Sequence, residues 1–163
     1  MPILVDGYNL LRSVEKLTET DTVTDISLCR LISNYLRCIG ELGEIIFDGT
    51  GPRDKAGFSN MPNLAVAFSG ARHDADTIIE FCIAENSAPK RLLVVSTDRR
   101  LRNAAHKRKA MAVDSEFFWA EMTRCLARIS KRKKTAEPLE KLQGISIAET
   151  EFWLKVFGFK GKS

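Results

Sequence analysis

The residues with the clearest chemical potential are acids that recur where apolar runs stop. Ile3-Leu4-Val5-Asp6-Gly7-Tyr8-Asn9-Leu10 is the first such stretch. Ile45-Ile46-Phe47-Asp48-Gly49 repeats the plan. So do Ala65-Val66-Ala67-Phe68, leading to Asp74-Ala75-Asp76, and Leu92-Leu93-Val94-Val95-Ser96-Thr97-Asp98. Carboxylates grouped without His or Cys suit a hard cation with oxygen ligands, such as Mg²⁺. Such a cation relieves the repulsion among close carboxylates. It also activates water and stabilises charge in displacements at phosphorus; where two ions serve, they sit roughly 3.5–4 Å apart. Metal-assisted phosphodiester hydrolysis is therefore the reaction class these residues suggest.

Each residue also has a plainer reading. Asp6-Gly7 and Asp48-Gly49 have the composition of turns. Asp98 can cap the helix that follows it, and Asp74 or Asp76 can cap another. Asn9 either orients a carboxylate or water, or closes an Asx turn. Ser96 and Thr97 are phosphate ligands or ordinary caps. His73 and His106 are expected at the surface. What favours chemistry is that the acids should share one edge of a sheet.

The elements that would place them there alternate between strand and helix. Strands are expected at residues 2–6, 44–48, 64–68, 91–96 and 110–113. Residues 10–22 read as a short helical or irregular connection. Asp25 can cap a helix to about Ile39, ended by Gly40 and Gly43. A long Gly/Pro/basic loop, Gly49 to Asn63, carries Arg53 and Lys55. Helices follow near Asp74, from Asp98 to about Lys109, and from Ser115. Lys131 to Pro138 reads as a linker. Ser146 with Glu149 then forms a capping box for an amphipathic helix bearing Phe152, Trp153, Val156 and Phe157, expected to dock on its own domain. Such alternation predicts a mostly parallel sheet of about five strands between two helical layers. Ligands bind at the C-terminal edge of such a sheet.

The chain has 163 residues, enough for a substantial core. It lacks an apolar run of the ~18 residues needed to span a membrane. Met1-Pro2 enters a strand directly, so no signal peptide is expected. Cys29, Cys38, Cys82 and Cys125 lie singly in helical patterns and are expected to be buried free thiols in a reducing cytosol. The net charge is only +4, but the cations cluster. Arg99, Arg100, Arg102, Lys107, Arg108 and Lys109 crowd one segment, and Arg124, Arg128 and Lys131-Arg132-Lys133-Lys134 follow. A solvated helix face explains any one of them; a polyanion partner, nucleic acid first, explains the set. G-x-G-x-x-G, P-loop and G-x-S-x-G signatures are absent, which argues against dinucleotide, P-loop and hydrolase-elbow chemistry.

Val5-Asp6-Gly7-Tyr8-Asn9-Leu10-Leu11, Phe47-Asp48-Gly49, Asp74-Ala75-Asp76-Thr77-Ile78-Ile79-Glu80 and Val94-Val95-Ser96-Thr97-Asp98-Arg99 together resemble, in order, the motifs of the YacP-like branch of NYN domains, in the PIN-like nuclease superfamily. The resemblance covers about residues 2–130 and leaves 131–163 as a basic linker and C-terminal amphipathic helix. It implies a three-layer PIN-like α/β fold and a cytoplasmic, Mg²⁺- or Mn²⁺-dependent endoribonuclease. The implied substrate is RNA, single-stranded or ribosome-associated, and no membrane partner is implied. The family's acidic positions fall on Asp6, Asp76 and Asp98 as metal ligands, with Asp48 and Asn9 in support; Asp74 stands where the branch accepts other polar residues. Arg53, Lys55, Arg99, Arg100 and Arg102 would hold the RNA backbone. Tyr8 or Phe58 would stack on a base or simply pack. The rival reading is a non-catalytic RNA-binding or ribosome-docking module on the same fold.

Overall fold

Ile3, Leu4 and Val5 alternate between two apolar clusters, and that alternation sets the architecture. Ile3 and Val5 join one cluster and Leu4 the other. Such two-sided burial is what a parallel strand between helical layers requires. A computed structural model describes residues 1–18 and 23–135. The strands are β1 (Ile3–Asp6), β2 (Gly43–Phe47), β3 (Leu64–Phe68), β4 (Leu93–Val95) and β5 (Met111–Val113). They form one sheet in the order β3-β2-β1-β4-β5, with every pairing parallel. Val5 stands beside Ile45 on one side and Val95 on the other.

The helices are α1 (Gly7–Leu17), α2 (Asp25–Ile39), α3 (Ala75–Glu85), α4 (Arg99–Lys107) and α5 (Ser115–Thr135). One face of the sheet packs on Leu10 and Val14 of α1, Leu28, Ile32 and Leu36 of α2, and Phe118, Trp119 and Met122 of α5. The other packs on Ile79 and Ile83 of α3 and Leu101 and Ala105 of α4. This is the three-layer α/β fold the alternation predicts.

Three local differences have physical causes. Helix begins at Gly7, not near residue 10, because the Asp6 side chain caps it by accepting from the Asn9 N–H. A Cβ at Gly7 would lie 2.5 Å from the Phe47 ring, so only glycine lets α1 start this close to β2. Thr24, not Asp25, caps α2, through a reciprocal capping box with Ser27. Lys131 to Lys134, expected in a linker, continue α5: Lys and Arg are good helix formers, and cations suit a helix C-terminus. Of the free cysteines, Cys29 is buried but Cys38 is exposed. The expected C-terminal amphipathic helix lies outside the described residues.

Candidate active site

The order of strand addition reverses between β1 and β4, the parallel neighbours from which successive strands are added to opposite sides. Ligands of open α/β sheets bind at such a point, beyond the strand C-termini. Asp6 ends β1 and Asp98 follows β4, so both stand there. The joining group is Ser96, fully buried. Its Oγ donates to Asp6 Oδ2 at 3.0 Å and accepts from the Asp98 N–H at 3.1 Å. One hydroxyl thus sets the spacing of two acids.

Three of the acids share a second duty. Asp6, Asp74 and Asp98 cap α1, α3 and α4, accepting from the backbone N–H of Asn9, Thr77 and Arg100. Asp76 lies in the first turn of α3 and caps nothing. Every acid here therefore sits at the positive end of a helix. Asp6 nevertheless holds its proton tightly. Burial first, and then the charges of Asp76 and Asp98, raise its carboxyl to about 6 against hydrogen bonds from Ser96 and the Asn9 N–H. Asp76 is also raised, by burial first and then by Asp98 and Asp74. Asp74 is fully exposed, and its bonds to Thr77 hold its carboxyl below the ordinary value. Asp6, Asp76 and Asp98 are thus an electrostatically coupled trio.

The supporting residues divide by task. Asn9 Oδ1 orients no carboxylate. It accepts from the Thr97 N–H at 3.0 Å, Thr97 Oγ1 at 2.8 Å and Ser115 Oγ at 2.6 Å, tying α1 to the β4–α4 turn and to the start of α5. Ser115, fully buried, was not singled out by the sequence, where it shows only as a helix start. Asp48 is exposed and organises α3: its Oδ1 accepts from Ser69 Oγ and the Ala75 N–H, both at 3.1 Å.

The cations named from sequence also divide. Arg100 makes a bidentate pair with Glu80, 2.8 and 2.7 Å, and lies 3.9 Å from Asp74. Arg102 pairs with Asp114 at 2.6 Å. Arg99, Arg53 and Lys55 are exposed, with Lys55 Nζ 5.1 Å from the centre of the Phe68 ring. Phe58 is buried against Phe47 and Phe68, and Tyr8 packs edge-on to Phe47, so both are packing residues. His73 and His106 are exposed, as expected.

The sequence profile of the YacP-like NYN domain matches residues 3–152. The chain belongs to that family. The YacP-like match runs past residue 130, where the sequence motifs end. Two crystal structures of Rae1 (YacP) from Bacillus subtilis are similar to this NYN domain. One, a tryptophan-to-leucine mutant, has 20% identity and a TM-score of 0.63, over 96% of this chain and 92% of that one. The other has 19% identity and a TM-score of 0.65, over 83% of this chain and 80% of that one. At that identity the likeness establishes the fold. No curated protein matches the sequence. The five-stranded parallel sheet is thus that of a nuclease-family domain.

Among the described residues, no three Asp, Glu, His or Cys side chains converge as they stand to hold an ion. Mg²⁺ does not require them to, since it keeps several waters and commonly takes one or two carboxylates. The donors are all oxygens, and among the described residues no cation forms an ion pair with Asp6. A buried carboxyl crowded by like charge and unpaired with a base fits a hard divalent cation.

Proposed function

We propose that this protein is a metal-dependent endoribonuclease that hydrolyses RNA phosphodiester bonds. The observation that carries the reading is Asp6. It is buried, raised to about 6, and coupled to Asp76 and Asp98 at the switch point of a nuclease-family sheet. A fold gains nothing from such a group unless a ligand relieves it. Asp6, Asp76 and Asp98 would hold Mg²⁺ or Mn²⁺. When bound, the ion would supply water activation and charge stabilisation at phosphorus.

The chain's own residues do the rest. Ser96 fixes the Asp6 carboxylate relative to Asp98, and Asn9 fixes the turn that carries Asp98. Asp48 seats the first turn of α3, and so Asp76. Helix N-termini at α1, α3 and α4 favour the anionic phosphodiester. Arg99 at the first turn of α4, with Arg53 and Lys55 on the loop after β2, would grip the backbone without reading sequence. Arg100, held to Glu80 of α3, and Arg102, held to Asp114 between β5 and α5, act first as struts. Single-stranded RNA, free or on the ribosome, is the proposed substrate, and the cytoplasm the proposed location.

The test is cleavage of a labelled, partly structured RNA in Mn²⁺, Mg²⁺ and EDTA, with wild type and Asp76→Asn. Cleavage should vanish in EDTA and fall about a thousandfold in the variant, the equivalent of roughly 4 kcal/mol of lost charge stabilisation. RNA that is bound but never cut would make the protein a binding module. Cutting that survives Asp76→Asn would place the site elsewhere.

A further inference from the structure

The basic segment that looks continuous in sequence is divided by the fold. Arg99 to Arg102 begin α4 beside the acids, whereas Lys107, Arg108 and Lys109 end it. At nine residues, α4 is about 14 Å long, with the two groups at its opposite ends. Its C-terminal end lies at the opposite edge of the sheet, because Met111, just beyond, starts β5 beside Leu93. Lys90 and Arg91 reach the same place from the segment entering β4.

These five cations line one concavity of about 610 Å³. All five are exposed. None forms an ion pair among the described residues. Arg108 Nη2 donates to the Asn86 carbonyl at 3.0 Å, which fixes the two segments against each other. The α4 dipole accounts for roughly half a charge at that end, not five. Holding like charges together works against the compact state, so the arrangement calls for an anion. The concavity is lined by no large apolar side chain, which a membrane-inserting surface requires. A repeating anion of fixed spacing matches cations drawn from two rigidly joined segments.

We infer that this far edge binds the phosphate backbone of a nucleic acid, separately from the acid site. It would anchor a structured part of the bound molecule while another part reaches the acids.

The experiment measures binding of a labelled RNA hairpin to the full chain in EDTA, across a salt series. The variant is Lys90→Glu/Arg91→Glu/Lys107→Glu/Lys109→Glu, which leaves Arg108 in place to hold Asn86. Affinity should fall about tenfold or more, and the slope of log affinity against log salt should shrink by about 3. The corresponding quadruple Gln variant, which avoids repulsion from new acids, should show a smaller loss and the same trend. Thermal melting of each variant checks folding. Cleavage of a short single-stranded oligonucleotide in Mn²⁺ should be unchanged, which separates failure of this surface from failure of the acid site. Unchanged hairpin affinity and slope in both variants would overturn the inference. So would loss of binding to phosphatidylserine vesicles with hairpin binding intact.

Discussion

The two edges of the sheet handle charge in opposite ways. At the C-terminal edge, two of the cations beside the acids are drawn into pairs, Arg100 with Glu80 and Arg102 with Asp114, while Arg99, Arg53 and Lys55 stay exposed around the crevice. What remains unpaired in the crevice is negative: Asp6 and Asp76, with Asp98 adding to both. At the N-terminal edge, Lys90, Arg91, Lys107 and Lys109 have no ion-pair partner among the described residues, and the concavity they line is positive. The modest net charge of +4 conceals this, because surfaces of opposite sign offset one another in the total. Charge left unneutralised by the fold points to ligands more directly than charge counted along the chain.

The strongest way to sharpen the comparison is to remove the charge from the acid edge. The folded Asp6 carboxyl, at about 6, lies above its ordinary 3.8, so the folded state binds the proton more tightly than the unfolded chain. Its contribution to stability is complete below about pH 4 and is lost as pH rises through about 6. At 1.36 kcal/mol per unit, that loss is about 3 kcal/mol by pH 7. Asp6→Asn keeps an acceptor for the Asn9 N–H and removes the charge. It should therefore be about 3 kcal/mol more stable than wild type at pH 7, and nearly equal to it at pH 4. Urea unfolding at the two pH values measures this. A difference that does not grow with pH would remove the strain from Asp6.

Next in size is the junction that holds the edge together. Asn9→Ala leaves the Thr97 N–H and two hydroxyls, one of them on buried Ser115, without their acceptor. It should cost about 1–3 kcal/mol and reduce cleavage as well. Asn9→Asp retains the acceptor and should recover most of the stability. Equal destabilisation by both would mean that packing, not the hydrogen bonds, matters at residue 9.

The smallest contrast compares an arginine from each edge. Arg102→Ala breaks a half-exposed pair with Asp114 and should cost no more than about 1 kcal/mol. A double-mutant cycle with Asp114→Ala would isolate that coupling. Arg91→Ala should leave thermal stability unchanged, because Arg91 forms no ion pair among the described residues. A larger loss at Arg91 than at Arg102 would reverse the assignment of which edge uses its cations structurally.

Much of this was legible in the sequence, for local reasons. Apolar runs ended by acids marked the strands, and helical spacing marked α2 to α5. Those two periodicities suffice for a parallel three-layer sheet. They also put Asp6 and Asp98 on one edge. What stayed hidden depends on distant partners. The acceptor role of Asn9 involves Thr97 and Ser115, 88 and 106 residues away. Ser96 looked like a phosphate ligand or a cap, and only packing shows it joining the Asp6 carboxylate to the Asp98 N–H. The pairing of Arg100 with Glu80 spans two helices. The division of the basic segment was within reach of the sequence: α4 is long enough to carry its ends to opposite edges, but clustering in sequence was read as clustering in space.

Asp6, Asp74 and Asp98 would still be useful to a chain that no longer performed any reaction, since each starts a helix. Asp76 starts none. In a descendant that gave up chemistry, selection on folding would keep an acid, or Asn, Ser or Thr, at the three capping positions and would let residue 76 drift. Across relatives, retention of the aspartate that serves no structural purpose would tell a working nuclease from a retired one.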